Sequence, residues 1–233
     1  MRVVKWLGVT ILVLAALFLG FAAYQLTPKD EPRPLPPSLV SAETSEGQAL
    51  LAGAEALDDH EELSANFEQQ RLISFCGPAS SVAVLNSLGR NVTQTSLFTD
   101  RASEVRPLWR AAAMGMTIDM LAAILEAHDL EVSMSRANLS GVDDLRAAIK
   151  RNLATDDDYL LVNYQREVLG QDRVGHISPL AAYDADTDRV LIMDTASYKY
   201  PHTWVPVTEL HAAMATIDGE TGKSRGWIEV RER

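Results

Sequence analysis

The chain has 233 residues, of which 47% are hydrophobic, and it carries a formal net charge of -11. This length supports one good hydrophobic core but not two large domains with separate cores. An acidic surface repels phosphate backbones, and no Lys/Arg cluster offsets it, so we expect no nucleic-acid partner. The only cysteine excludes an internal disulfide and a thiolate metal cage.

The N-terminus carries a membrane-targeting pattern. Arg2 and Lys5 precede an uncharged apolar run from Trp6 to Tyr24. At a rise of about 1.5 Å per residue, a helix of this length nearly spans a hydrocarbon core of about 30 Å. We therefore expect residues 1–26 to be a transmembrane anchor or a signal peptide. Basic residues before such a run favour an exported body, so the expected location is the bacterial inner membrane with the rest of the chain in the periplasm, or the periplasm after cleavage.

The next segment, residues 27–40, is rich in proline and charge, which predicts a stiff, extended linker. Residues 41–233 are expected to form one folded domain. Its first part, from Ser41 to about Ser64, has the periodicity of one surface-packed helix.

Helices are predicted for the first half of this domain. Cys76–Leu88 mixes apolar and small residues, which suits a helix packed on several sides, and Gly89 ends it. Amphipathic helices follow over Thr117–His128, capped by Thr117, and over Ser140–Leu153, capped by Ser140.

Strands are predicted for the second half. The apolar runs are Tyr159–Tyr164, Ile177–Tyr183, Arg189–Met193 and Gly226–Val230, with a helix near Val207–Ala215 before the last of them. A turn near Asp186 joins the second and third runs into an antiparallel hairpin. This hairpin places His176, at the start of one strand, near Asp194, at the end of the other. Helices first and antiparallel strands second predict an α+β domain.

Four residues, in chain order, form a candidate catalytic set. Cys76 lies at a helix N-terminus, where the backbone dipole favours a thiolate, so it is the candidate nucleophile. His176 is the candidate acid and base, and Asp194 the carboxylate that orients its ring. Gln70, six residues before the cysteine, is a candidate oxyanion donor together with the backbone N–H of Cys76. Each residue alone has an ordinary structural explanation, but the ordered set favours catalysis.

Two stretches carry a resemblance to a known family: QQRLISFCGPASSVAVLNSL and GHISPLAAYDADTDRVLIMDTASYKYPHTWVPVTELHAAMATID. They resemble the catalytic domain of the phytochelatin synthase family, a papain-like clan, and the resemblance covers roughly residues 67–230. It implies a papain-like cysteine protease fold and a role in heavy-metal detoxification. It also implies acyl transfer on glutathione: the cysteine attacks the Cys–Gly bond, glycine leaves, and the γ-glutamylcysteinyl thioester passes to water or to a second glutathione.

The resemblance also assigns residues. It gives Cys76, His176, Asp194 and Gln70 the roles described above. The spacing from Asp218 to Arg225 matches the family's pair that holds the γ-glutamyl group. An α-amino acid offers one cation to a carboxylate and one carboxylate to a bidentate arginine. Without the resemblance, this pair would be interpreted as a surface salt bridge of little energetic value.

Two departures from the family pattern favour hydrolysis over transfer. The chain has no cysteine-rich C-terminal region, which makes it similar to the short bacterial type, for which glutathione hydrolysis often outweighs polymer synthesis. In addition, Ser197 stands where the plant enzymes have an arginine, and this change weakens the expected hold on an acceptor glutathione.

We expect no cofactor and no protein-bound metal, because His60, His128, His202 and His211 share no ligand-like spacing. Cd²⁺ or Zn²⁺ is expected to arrive as a glutathione thiolate complex. Glutathione is the expected partner, and a homodimer is a candidate assembly. Two other functions stay open at this stage: a leader-peptide cysteine protease of the bacteriocin-processing type, and a non-enzymatic, membrane-tethered thiol or metal-binding protein.

Overall fold

A computed structural model describes residues 13, 14, 16, 17, 20, 21 and 24–233. The predicted anchor or signal peptide, residues 1–26, therefore lies largely outside the described residues. Within the described part of the chain, no helix is both long enough and apolar enough to cross a membrane.

Helices dominate the first half of the body. They are α1 Ser45–Gly53, α2 His60–Asn66, α3 Cys76–Ser87, α4 Asp100–Val105, α5 Leu108–Met114 and α6 Ile118–Ala127. Two further helices, α7 Val142–Asn152 and α8 Val207–Met214, alternate with the later strands, and a short 3₁₀ helix covers Arg166–Leu169.

The strands form one antiparallel sheet in the described residues. They are β1 Val40–Ser41, β2 Leu130–Arg136, β3 Asp158–Gln165, β4 Gly175–Asp184, β5 Arg189–Ile192, β6 Thr203–Pro206 and β7 Gly226–Glu232. Their spatial order is β1-β6-β5-β4-β3-β7-β2. The predicted α+β arrangement is thus confirmed, with the cysteine at a helix N-terminus and the histidine on the central strand β4.

The sheet is covered on both faces, because alternate residues of a strand point to opposite sides. Leu161 and Ile177 pack into one apolar core with α3 and α6. Leu160 and Leu180 pack into a second core with α7 and α8. The central strands are therefore buried on both faces, and this fixes the position of β4 relative to α3.

The structure corrects two of the predicted helices. The helix predicted over Ser41–Ser64 is two helices, because Ala54 is extended and Ala56 forms a bridge to Tyr183 at the end of β4. The predicted cap at Ser140 is also wrong. The N-cap is Gly141, whose N–H donates to a carboxylate oxygen of Asp144 at 2.7 Å.

Residues 24–33, which we call the strap, run along the body. Their backbone makes three bonds to it: Ile73 N–H donates to the Leu26 carbonyl at 2.9 Å, Glu31 N–H donates to the Tyr198 carbonyl at 3.1 Å, and Arg33 N–H donates to the Lys199 carbonyl at 2.9 Å. Part of the segment predicted as a linker therefore packs on the catalytic body. The predicted boundary between residues 40 and 41 remains a prediction.

Candidate active site

Cys76 is the first residue of α3 and is partly buried. A Cβ atom on Gly77 would lie 2.6 Å from the sulfur of Met116, so the glycine permits close packing at this helix end. The Ser80 hydroxyl lies 2.8 Å from the Cys76 carbonyl and 3.2 Å from the Ile177 carbonyl. This side chain fixes the start of α3 against the strand that carries the candidate histidine.

His176 and Asp194 meet at the open end of the predicted hairpin. His176 Nε2 lies 3.0 Å from Asp194 Oδ1, and both side chains are buried. The same carboxylate oxygen accepts the Ala196 N–H at 2.8 Å. Since a carboxylate accepts, Nε2 carries the proton, and Nδ1 is the ring nitrogen left for proton exchange. The structure thus brings together the two residues that the hairpin was predicted to join.

Arg166 completes this group, and the sequence analysis missed it. Its Nη2 lies 2.6 and 2.7 Å from the two carboxylate oxygens of Asp194, and its Nη1 donates to Gln171 at 2.6 Å. The guanidinium carbon lies 5.0 Å from the centre of the Tyr200 ring. The available signal was a charged residue two positions after the apolar run Tyr159–Tyr164, since a strand buried on both faces ends beside buried groups.

The charges of this buried group shift its proton affinities. Burial opposes ionisation of Asp194, but the charges of Arg166 and His176 outweigh it and hold the pKa of this carboxyl well below its usual range. Desolvation and the Arg166 charge lower the pKa of His176 to about 4, against the opposing effect of Asp194. At neutral pH the imidazole is therefore uncharged beside an ionised carboxylate.

The thiol shows the opposite of the predicted shift. Desolvation raises the pKa of Cys76, although backbone hydrogen bonds at Ile177 and Gly77 oppose this change. The sequence analysis predicted that the helix dipole would favour the thiolate. Removal of water from the sulfur outweighs these hydrogen bonds, which favours a protonated thiol beside the neutral imidazole.

Gln70 is buried and lines the same cavity as Cys76. Its side-chain nitrogen donates to the Ile73 carbonyl at 2.9 Å and to the Tyr198 hydroxyl at 3.2 Å. Its backbone N–H donates to the Thr195 carbonyl at 2.8 Å, directly after Asp194. The amide therefore has two acceptors in place, and donation to a reacting oxygen requires exchange of one of them.

Arg225 is buried and Asp218 is half-buried, so the pair does not lie on the open surface. Arg225 Nη2 lies 4.0 Å from Asp218 Oδ2, with side-chain exposures of 9% and 16%. Arg225 Nη1 donates to the Thr216 hydroxyl at 2.9 Å and to the Ile217 carbonyl at 2.8 Å. A Cβ atom on Gly175 would lie 3.0 Å from Arg225 Nη2, so the glycine before His176 makes room for the guanidinium.

One cavity connects these groups. It has a volume of about 770 Å³ and is lined by Gln70, Cys76, His176 and Asp218. Asp194 lies behind His176, and Arg225 lies beside Asp218. Four of the six candidate residues therefore line one concave site, and the other two, Asp194 and Arg225, lie next to His176 and Asp218.

The other histidines lie elsewhere. His128 and His211 each bond to a backbone carbonyl, at 2.7 and 2.8 Å. His60 and His202 line a second cavity of about 300 Å³. Among the residues that the structure describes, no group of three or more His, Cys, Asp or Glu side chains is placed to hold a metal ion.

Two solved structures share some of the architecture. They are the peptidase domain of Streptococcus ComA, a bi-functional ABC transporter, and xylellain, a cysteine protease from Xylella fastidiosa. The first is 12% identical and covers 71% of this chain and 97% of its own, with a TM-score of 0.44. Xylellain is 10% identical, and the match covers 90% of this chain and 97% of xylellain, with a TM-score of 0.45. These values are too low to support a functional argument.

Sequence relatives are more similar. The glutathione gamma-glutamylcysteinyltransferase 1 of Triticum aestivum is 34% identical over 209 residues, which are 86% of this chain and 42% of the relative. Glutathione gamma-glutamylcysteinyltransferase 3 of Lotus japonicus is 32% identical over 206 residues, which are 84% of this chain and 43% of the relative. The chain thus spans less than half the length of these relatives. The family model for phytochelatin synthase matches residues 31–227, and the chain belongs to the phytochelatin synthase family.

Proposed function

We propose that this chain cleaves the Cys–Gly peptide bond of glutathione through a γ-glutamylcysteinyl thioester on Cys76. The observation that carries the proposal is the Asp218 and Arg225 pair: Asp218 lines the cavity that contains Cys76 and His176, and Arg225 Nη2 lies 4.0 Å from Asp218. Such a pair suits a free α-amino acid end, and an ordinary peptide chain has none at its cleavage site. Family membership and the names of the relatives support the same substrate.

The first step is acylation. Cys76 Sγ attacks the carbonyl carbon of the substrate cysteine while its proton passes to Nδ1 of His176. That proton then moves to the glycine nitrogen, the C–N bond breaks, and glycine leaves. Because the resting site holds a thiol and a neutral imidazole, this proton transfer accompanies the attack. The imidazolium that forms is stabilised by Asp194, which Arg166 keeps ionised.

The second step regenerates the enzyme. Water attacks the thioester carbonyl and gives a proton to His176, the C–S bond breaks, and the thiolate recovers the proton. Gln70 and the backbone N–H of Cys76 donate to the oxyanion in both steps. We propose that the Gln70 amide exchanges its longer bond, to the Tyr198 hydroxyl at 3.2 Å, for the oxyanion.

The γ-glutamyl end binds at the other charged pair. Asp218 takes the α-ammonium, and Arg225 takes the α-carboxylate through Nη2. The 4.0 Å distance from Nη2 to Asp218 is too long for a hydrogen bond, so this donor is available to a carboxylate. The opposite charges of the pair thus match the two charges of the amino acid end.

Hydrolysis is proposed to outweigh transfer to a second glutathione. Ser197, at the position of the plant arginine, is a short side chain whose hydroxyl donates to Gln69 at 3.3 Å. A neutral hydroxyl binds an acceptor carboxylate less strongly than a guanidinium does. Cd²⁺ or Zn²⁺ is proposed to act as a thiolate complex of the substrate.

The test is mass analysis of products after the full chain is incubated with glutathione, with and without Cd²⁺. Glycine and γ-Glu-Cys are expected from the unchanged chain, and no glycine from Cys76→Ser. Unchanged glycine release by Cys76→Ser would contradict the nucleophile. Chains of (γ-Glu-Cys)n-Gly as the main product would overturn the preference for hydrolysis. Cleavage of a leader peptide without cleavage of glutathione would favour the bacteriocin-processing type.

Location and assembly are part of the same proposal. We propose that the apolar run before the strap, within the predicted segment 1–26, tethers the enzyme to the inner membrane with its catalytic domain in the periplasm, or directs it there before cleavage. Fractionation of cells and N-terminal analysis of the recovered chain test this placement. Sedimentation of the purified chain tests the candidate homodimer.

A further inference from the structure

The strap forms part of the cavity that contains Cys76. Its side chains at alternate positions, Gln25, Thr27, Lys29 and Glu31, all line this cavity. Residues 24–26 are helical and the rest of the strap has no regular structure, so the path of the backbone, rather than a strand alternation, places these four residues at the cavity. One face of the strap therefore looks into the candidate active site.

The strap is fixed to the body on both sides of the thiol. One bond reaches Ile73, three residues before Cys76, and two bonds reach Tyr198 and Lys199, just after Asp194. The prolines within the strap limit its backbone freedom further. The strap thus acts as a wall of the site in the described structure, with defined positions for its side chains.

Most cations of this cavity already have a carboxylate partner. Lys199 Nζ lies 2.7 Å from Asp172, Arg166 pairs with Asp194, and Arg173 lies 3.3 Å from Glu167.

Lys29 is the exception within the described part of the chain, since no carboxylate there lies within 4.0 Å of its ammonium. Its Nζ instead lies 4.0 Å from the centre of the Tyr24 ring. A cation over an exposed ring gains only about 0.5–1 kcal/mol, so this contact leaves the ammonium available to an anion.

We propose that Lys29 binds the carboxylate of the leaving residue and so makes the strap a specificity wall for peptides that end one residue after the scissile bond. This inference rests on the proposed function. Glutathione has two carboxylates and one ammonium, and the Asp218 and Arg225 pair accounts for one of each. The glycine carboxylate remains and needs a cation elsewhere in the cavity.

The position of the strap suits this role. Asp218 belongs to the segment whose Glu220 pairs with Arg106 at 2.9 Å, whereas the strap is bonded to residues 73 and 198–199. Asp218 and Lys29 thus belong to different parts of the fold, and both line the cavity that contains Cys76. Lys29 lies before the range 31–227 that matches the family model. An exposed ammonium also releases its product readily, because water screens the pair.

The test compares glutathione with its glycine monoethyl ester, which lacks only the charge of the leaving carboxylate. For the unchanged chain, kcat/KM should be about fivefold lower for the ester. Lys29→Ala should lower kcat/KM for glutathione by about the same factor, through KM, and leave the ester unaffected. Lys29→Arg should restore the preference for the free carboxylate.

Lys150→Ala is the matched control, since Lys150 Nζ also lies over a tyrosine ring, 5.5 Å from the centre of Tyr183, but does not line the cavity. The Lys150→Ala variant should leave kcat/KM unchanged for glutathione and for the ester. If Lys29→Ala keeps the full preference for glutathione over the ester, or lowers kcat/KM equally for both substrates, the proposed role of Lys29 is contradicted while the proposed function stands. If the unchanged chain releases no glycine from either substrate, the proposed function fails and this inference fails with it.

Discussion

Arg166 and Asp194 form a buried ion pair in which one guanidinium nitrogen lies 2.6 and 2.7 Å from the two carboxylate oxygens. Both side chains are 2% exposed. Loss of one partner of such a pair leaves an uncompensated buried charge. The same carboxylate accepts from His176, so this pair sets both the orientation of the imidazole and its proton affinity.

Replacement of Arg166 should therefore affect stability and catalysis together. We expect Arg166→Met to lower the free energy of unfolding by about 3–5 kcal/mol, because Asp194 loses its cation. Loss of the guanidinium charge should also raise the pKa of His176, since that charge lowers it now. The acid limb of kcat/KM should move to higher pH. Chemical denaturation and a pH profile of glycine release measure both effects.

Arg166→Lys is the control for that variant. It keeps the positive charge, so it should retain most of the stability and a low acid limb, but it cannot form the same planar contacts. An acid limb that does not move in Arg166→Met would show that His176 is not the titrating base.

The rate at which iodoacetamide alkylates Cys76 should depend on pH as expected for a thiol with a raised pKa. Desolvation raises the pKa of this thiol, and only the thiolate reacts. The rate should therefore keep rising above pH 8 and show no plateau at acidic pH. As the chain has one cysteine, the label reports this site alone. A fast, constant rate below pH 6 would indicate a preformed ion pair with His176 and would contradict the mechanism proposed above.

Four of the strands, including the hairpin that joins His176 to Asp194, were predictable because apolar runs bounded by turn residues mark them directly. His176 and Asp194 follow from that hairpin alone. Arg166 was not predictable by the same logic, since its partner is 28 residues away in the chain and becomes visible only in the fold. The strand Leu130–Arg136 was missed for a related reason. It lies at the edge of the sheet, and several of its residues are exposed, so its sequence lacks a continuous apolar run.

The thiol prediction failed on a different point. A helix N-terminus can be recognised in a sequence, but the amount of water removed from a side chain depends on what packs against it. Met116 contacts the start of α3 from a distant part of the chain, as its close approach to Gly77 demonstrates. The sign of the pKa shift therefore required the tertiary structure.

Gln70→Ala should lower kcat for glycine release by about a hundredfold to a thousandfold, the usual effect of losing one oxyanion donor. KM should change little, because the interaction exists mainly in the transition state. Steady-state kinetics test this. Tyr198→Phe is the informative comparison: it removes an acceptor of the same amide, and loss of one hydrogen bond should cost less than about tenfold. Equal losses in both variants would contradict the role of Gln70.

Asp218→Asn should raise KM for glutathione about tenfold with a smaller effect on kcat, since it removes the charge proposed to bind the α-ammonium. An N-acetylated glutathione, which lacks that cation, should be a poor substrate for the unchanged chain. Asp218→Asn should not raise KM for this compound any further. Asp172→Asn serves as the control, because Asp172 also lines the cavity but pairs with Lys199. If both variants behave alike, Asp218 has only a general electrostatic effect.

Asp59, which does not line the cavity that contains Cys76, should make the free energy of unfolding depend on pH. Burial and the neighbouring carboxylates of residues 156–158 raise its pKa to about 7. Its Oδ1 accepts the Asp157 N–H at 3.0 Å, whereas its buried Oδ2 has no partner among the described residues. A carboxyl with a raised pKa stabilises the fold fully below its unfolded pKa of about 4, and this contribution is lost as the pH rises through 7.

Asp59→Asn should therefore be more stable than the unchanged chain at pH 8, because the amide is neutral at every pH and keeps the acceptor for Asp157. The difference in unfolding free energy should reach about 1–3 kcal/mol at pH 8 and shrink toward pH 4. Urea denaturation at both pH values measures it. Asp58→Asn, at the exposed neighbouring position, should show almost no such change. Equal pH dependence in Asp59→Asn and the unchanged chain would mean that Asp59 is already ionised or solvated in the fold.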